Sequence, residues 1–187
     1  MAGLFDLEGH LVFYRSYHFN KTNVAIHLVC IPIILLSTIT FLSNKQIPVS
    51  DDPYINAGSL LAFIYGFYYI LLDWKCGIPS FLVLNGYAYL VRTYYLTLAP
   101  EAQTQFIHYA YYAHVASWVA QFYGHGVHEK RAPALMDNLL QALVLAPFFV
   151  SFEIAFALGY RSDLKKSMDN KAGAIVRDFK LKDKKKI

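Results

Sequence analysis

The chain has 187 residues, of which 56% are apolar and only 16% charged, against roughly 45–50% and 25% in an average soluble domain. Ten of its 17 Lys and Arg lie after residue 160, so the formal net charge of +4 belongs to a tail and forms no basic groove. Aromatic and basic residues occupy different parts of the chain, which argues against nucleic-acid binding, and a length of this order holds one domain.

Residues 1–15 mix Asp6, Glu8 and Arg15 with apolar positions and lack the apolar centre of a cleavable signal, so membrane insertion would rest on internal helices. Five apolar stretches follow, at 24–43, 55–72, 78–98, 105–123 and 134–160. A helix needs about 20 residues to cross about 30 Å of hydrocarbon, and four or five of these are long enough. The first two carry no charge. The third contains Asn85, Gly86 and Arg92, with Arg92 expected to snorkel or to pair inside the bundle. The fourth is rich in Tyr and His. The fifth carries Asp137, Asn138, Gln141, Pro147 and Glu153, too much polarity for a helix that faces lipid. Cys30 and Cys76 lie at or in apolar segments and indicate neither a disulfide framework nor a thiolate metal cluster.

Basic residues set the orientation. Arg15 with Lys21, then Lys75, then Lys130 with Arg131 fall on one side of alternating crossings, and only Lys45 falls on the other. The positive-inside rule places the first side in the cytosol. A fifth full crossing would carry the basic tail to the opposite face. The expected fold is therefore an all-α integral membrane helical bundle of four spanning helices plus a broken or re-entrant fifth element, with both termini cytosolic. Residues 1–160 form a single membrane-embedded domain in this reading, and 161–187 a basic cytosolic tail. The rival, a soluble helical bundle with a Tyr-rich core, is disfavoured by the long uncharged runs. Lys184 and Lys185, with Lys186 and Ile187 behind them, match a dilysine signal for retrieval to the endoplasmic reticulum. The alternative is a solvated tail held over anionic lipid.

Three clusters could carry chemistry. In the first, Asn20, Thr22 and Asn23 are N-cap residue types just before the first uncharged run, which places a helix start there. His27 then lies near its first turn. His18 stands nine residues earlier, about 180° away on an unbroken helix, and a break at the Asn residues would let both imidazoles converge. Two histidines solvated among headgroups are the alternative. In the second cluster, Gln121, His125 and Glu129 recur at i, i+4 and i+8 on one helical face, and glycines flank His125. A His and a carboxylate one turn apart can share a divalent ion; a helix end with Glu129 paired to Lys130 or Arg131 is the other reading. The third cluster, from Arg131 to Asn138, places Pro133 at a helix N1 position, where Lys130 and Arg131 would attract a carboxylate or where simple capping would suffice. The starts of helix one and the ends of helix four share a leaflet, so His18, His27, His125 and Glu129 can meet there. A sulfur-free shell of His and carboxylate suits Fe(II), with Zn and Mn as competitors. Gln121 and Asn20 are candidates to orient the imidazoles.

Over most of residues 5–160 the chain resembles the small endoplasmic-reticulum membrane proteins typified by the fungal 2-hydroxy-palmitate dioxygenase of phytosphingosine degradation. The likeness rests on His18-x-Asn20-x-x-Asn23-x-x-x-His27 followed by Pro32, then on Trp118-x-x-Gln121-Phe122-x-Gly124-His125 with Glu129 and Pro133-Ala134-Leu135. The run from Asp137 to Leu139 and that from Leu145 to Pro147 fit as well. His128 stands where an aromatic is usual. The resemblance implies an Fe(II)-dependent dioxygenase that takes a long-chain 2-hydroxy fatty acid and O2 to the acid one carbon shorter and CO2. It implies His18, His27, His125 and Glu129 as metal ligands and catalytic residues. Lys130, Arg131, Gln121 and Asn20 are then expected on the substrate side, with the acyl chain among the apolar helices. A non-enzymatic membrane scaffold or transport protein, or another lipid-modifying membrane metalloenzyme, is the competing reading. The di-iron kind would need about eight histidines in adjacent boxes, and this chain has seven with no adjacent pair.

Overall fold

A computed structural model describes residues 3–133, 135 and 138–184. Ala134, Met136, Asp137, the side chains of Gln141 and Lys184, and the residues that end the dilysine run lie outside it. Among the described residues the structure is all-helical, without a strand. It comprises α1 (Leu7–Tyr17), α2 (Lys21–Leu42), α3 (Ala57–Leu72), α4 (Trp74–Thr97), α5 (Pro100–Tyr123), a π-helical turn (Gly124–Glu129), a second π segment (Leu140–Leu145), α6 (Ala146–Ala157) and α7 (Ser162–Lys184). The chain divides into two compact units, residues 29–120 and residues 1–28 with 121–187.

Within residues 29–120, α3 and α4 form a close hairpin. A Cβ at Gly66 would lie 2.8 Å from the Cα of Phe81, and one at Gly77 would meet the backbone of Tyr69 and Ile70. Glycine is required at both for the helices to approach so nearly. Asn56 and Ser59 cap α3 reciprocally, and the Asp73 carboxylate caps α4 by accepting from Cys76 N. The buried Arg92 donates through Nε to Pro53 O at 2.8 Å, the pairing inside the fold that its position in an apolar stretch demands. His114 Nε2 accepts from Trp118 Nε1 at 3.0 Å, while its Nδ1 lies 3.1 Å from Ser37 Oγ. Both ring nitrogens are thereby occupied.

In the other unit, α1 packs on α7 and on α6 with its π segment. The buried faces combine Leu7, Leu11 and Tyr14 of α1, Phe148, Phe149 and Phe152 of α6, and Met168, Ala172 and Val176 of α7. The last trio repeats at i, i+4, i+8, which makes one apolar stripe on an otherwise basic helix. The stretch that would follow Pro133 at a helix N1 position falls largely on Ala134, Met136 and Asp137, outside the described residues; Leu135 between them is in a 3-10 turn, and regular helix is described again from Leu139. Pro147, which has no N–H to offer a carbonyl one turn back, stands where the π segment gives way to α6.

One described helix, Lys21–Leu42, is long and apolar enough to cross a membrane; Ala57–Leu72 and Ala142–Ala157 are apolar but shorter. At 24 residues each, α4 and α5 have the length. Their Asn, Arg, Gln and His side chains lower the mean hydropathy.

Candidate metal centre

The sequence builds the site from two breaks in helical geometry. α1 ends at Tyr17, and His18 caps it with φ −130° and ψ 66°, off the helical path. Asn20 then starts α2, its Oδ1 accepting from Thr22 N at 2.9 Å and Asn23 N at 3.4 Å. This joint removes the half-turn that would otherwise separate His18 from His27. His125 comes from the π turn at the end of α5, a wider winding that recurs at functional sites.

The three imidazoles are buried together. Ring centroids lie 4.3 Å apart for His18 and His27, 4.9 Å for His18 and His125, and 4.8 Å for His27 and His125, all edge to face. One ligating nitrogen from each falls within 4.8 Å of the others, and each residue is at most 5% exposed. His18 Nδ1 lies 2.9 Å from Tyr14 O, and His27 Nδ1 lies 2.9 Å from Asn23 O. A carbonyl only accepts, so both Nδ1 atoms carry the proton and both Nε2 lone pairs are free. The Tyr14 ring stacks on His18 at 4.0 Å and fixes its plane. His125 Nδ1 is buried with no partner among the described residues. Burial, reinforced by the neighbouring His27 and His125 imidazoles, holds His18 well below the usual histidine range. Burial, with Arg131 adding to it, brings His125 down to about 4. Neutral imidazole is the form a metal ion needs.

Glu129 is placed differently. Its Oε1 accepts from Phe19 N at 3.1 Å, and its Oε2 accepts from Asn20 N at 3.0 Å and Asn23 Nδ2 at 3.1 Å. The carboxylate thus sits on the N-terminus of α2, where unpaired N–H groups and the helix dipole favour an anion. The stripe of Gln121, His125 and Glu129 assumes α-helical winding, and the π turn rotates Glu129 out of it. Gln121 is buried at the end of α5, with Nε2 unpartnered among the described residues. Asn20 serves as the cap of α2. Lys130 ends the π turn with a left-handed backbone (φ 54°), and its side chain is exposed. Arg131 Nη1 donates to Ser16 O at 3.0 Å, and its guanidinium lies 3.5 Å from the Tyr17 ring centroid.

Asn23 is the residue whose importance the sequence understates, since it reads there as a helix-start residue. Its carbonyl holds His27, its amide nitrogen holds Glu129, and its Oδ1 lies where a Cβ on Gly124 would collide. Gly126 has open space instead. Gly124→Ala is therefore expected to cost about 1–3 kcal/mol, as overpacking does, whereas Gly126→Ala leaves stability within about 0.5 kcal/mol, as a change in open space does. Thermal unfolding of the two variants side by side checks this.

Among the described residues, then, the protein is all-helical, with three buried imidazoles that each bring one ligating nitrogen within 4.8 Å of the others. Residues 4–158 match the family model described as 2-hydroxy-palmitic acid dioxygenase Mpo1-like, and the chain belongs to that family. It is 38% identical over 170 residues, 90% of either chain, to the 2-hydroxy-palmitic acid dioxygenase MPO1 of Saccharomyces cerevisiae. No solved structure matches it.

Proposed function

We propose that this protein is an Fe(II)-dependent dioxygenase that shortens long-chain 2-hydroxy fatty acids by one carbon, in the degradation of phytosphingosine and related sphingolipids. The balanced reaction takes the 2-hydroxy acid and O2 to the shorter acid, CO2 and water. The observation that carries this is the trio of His18, His27 and His125, sulfur-free, buried and with one ligating nitrogen each within 4.8 Å of the others. Such donors suit Fe, Zn, Cu or Ni, and Zn has no redox chemistry with which to activate oxygen. Membership of a family described as dioxygenases supports a redox-active ion over zinc, and iron is the one the sequence resemblance implies.

His18, His27 and His125 would hold the metal, with the Tyr14 and Asn23 carbonyls keeping two of the rings in the correct tautomer. When bound, the iron supplies open positions for a chelating 2-hydroxy carboxylate and for O2. Gln121 carries a buried amide donor with no other engagement among the described residues, which suits it to orient a substrate oxygen. Lys130 offers an exposed ammonium to attract the carboxylate. Asn20 and Arg131, occupied at helix ends, support the site from behind. Glu129 stands behind it too, and a direct place on the metal would require its carboxylate to leave the α2 N-terminus.

The membrane reading belongs to the same proposal: four spans, a re-entrant fifth element, a catalytic domain over residues 1–160, a cytosolic tail and residence in the endoplasmic reticulum. It is supported by the uncharged α2 and by large apolar side chains facing outward on α3, α4 and α5, among them Phe63, Phe67, Leu82, Val83, Leu90 and Val119. Outward apolar surface on this scale needs a lipid or protein partner. The deciding experiment reconstitutes the purified protein with Fe(II) anaerobically, adds 2-hydroxy-palmitate and O2, and assays the 15-carbon acid and CO2. One iron per chain and stoichiometric product are expected. A chain that binds no iron, or that leaves the substrate intact, would refute the proposal.

A further inference from the structure

The last carbonyls of a helix lack donors within it, and His18 sits where α1 runs out. Two arginines take over the carbonyls there. Arg15 donates through Nη1 to His18 O at 3.0 Å and through Nε to Asp169 Oδ1 of α7 at 2.9 Å. Arg131 donates to Ser16 O, and its guanidinium lies over the rings of Tyr17 and Phe179, the latter again from α7, at 3.5 and 4.6 Å. Asp169 is also held by Lys165 at 2.6 Å. His27 and His125 lie within helical turns, whereas the backbone of His18 lies between two helices, its N–H on Arg15 O and its carbonyl restrained by the Arg15 side chain. α7 begins after the family model's match ends at residue 158.

We infer that α7 positions His18: Asp169 orients Arg15, Arg15 fixes the His18 carbonyl, and the imidazole is thereby set toward His27 and His125. Asp169 and Arg15 are positioning residues, and the inference rests on the three histidines holding a metal. A guanidinium can serve two acceptors at fixed angles, which a lysine ammonium on a flexible stem does not reproduce. A second tie between the helices, Glu8 to Lys171 at 2.7 Å, lies at the far end of α1 and provides the control.

The test is equilibrium Co(II) titration of the full chain in detergent micelles, followed through the visible d–d bands, with helical content checked by circular dichroism. Asp169→Asn and Arg15→Lys are each expected to weaken Co(II) binding by roughly 10-fold or more, as loss of an orienting partner does, and to shift the bands while helicity is kept. Asp169→Glu is expected to restore most of the affinity, and Glu8→Gln to leave it at the wild-type value. Wild-type affinity and spectrum in both Asp169→Asn and Arg15→Lys would overturn the inference and leave the metal site standing. An equal loss in Glu8→Gln would overturn it as well, since any loosening of α7 would then suffice. A wild-type chain that takes up no Co(II) would remove the metal site and this inference together.

Discussion

His125→Ala is expected to abolish both metal retention and turnover of 2-hydroxy-palmitate, while the apoprotein keeps its helices and most of its stability. In the proposed site three imidazoles would share the cation, so removing one removes a ligand, a larger loss than the roughly 10- to 100-fold typical of an orienting partner. The histidines differ in what else they do. His18 and His27 each donate to a buried carbonyl, Tyr14 O and Asn23 O. Truncating His18 leaves the last-turn carbonyl of Tyr14 unsatisfied, at about 1–3 kcal/mol, whereas truncating His27 strips Asn23 O, which keeps its helical bond, of a second hydrogen bond, at about 0.5–1.5 kcal/mol. His125 Nδ1 has no such partner among the described residues, so its removal leaves a cavity and no orphaned carbonyl. The expected order of thermal damage is therefore His125→Ala below His18→Ala and His27→Ala, with metal content lost in all three. Metal analysis of the purified variants, together with apoprotein melting curves, measures both. His125→Ala with its iron intact would sink the assignment.

The order of the apolar helices was legible because length and uncharged composition suffice to find them: the stretch at 55–72 emerges as Ala57–Leu72, and that at 105–123 as the latter part of Pro100–Tyr123. The joint before α2 was legible for a similar reason, since Asn20, Thr22 and Asn23 accept N–H bonds at a helix start. α1 and α7 were hidden by their charge. Overall polarity masks Leu7, Leu11 and Tyr14, and likewise Met168, Ala172 and Val176, although their spacing marks a buried helical face. The position of Glu129 could not be read, because a spacing of four predicts alignment with His125 only where winding is α-helical. Nothing in a pair of glycines around His125 announces a π turn. Arg131 looked like a substrate anchor because charge alone was visible; its partners, Ser16 O and the Tyr17 and Phe179 rings, come from distant parts of the sequence.

Glu129→Ala separates a metal ligand from a latch, and the structure favours the latch. The carboxylate gathers two backbone N–H groups and the Asn23 amide, joining the turn that carries His125 to the α1–α2 joint and the first turn of α2. Its loss strands three donors at a helix N-terminus and loosens Asn23, whose carbonyl orients His27. The expected cost is about 2–4 kcal/mol of stability, given that bonds to a charged acceptor contribute about 1.5–3 kcal/mol each and water reaches part of this site. Metal affinity should fall by roughly 10- to 100-fold, as for an orienting group, without the complete loss expected of His125→Ala. Glu129→Gln sharpens the contrast. It keeps one acceptor oxygen for the helix end but turns an N–H toward other donors, so stability should still drop. A ligand would instead show itself by metal loss as complete as in the histidine variants, at nearly unchanged apoprotein stability. Melting temperature measured without metal, beside iron content measured with it, distinguishes the two because a latch moves the first and a ligand moves only the second.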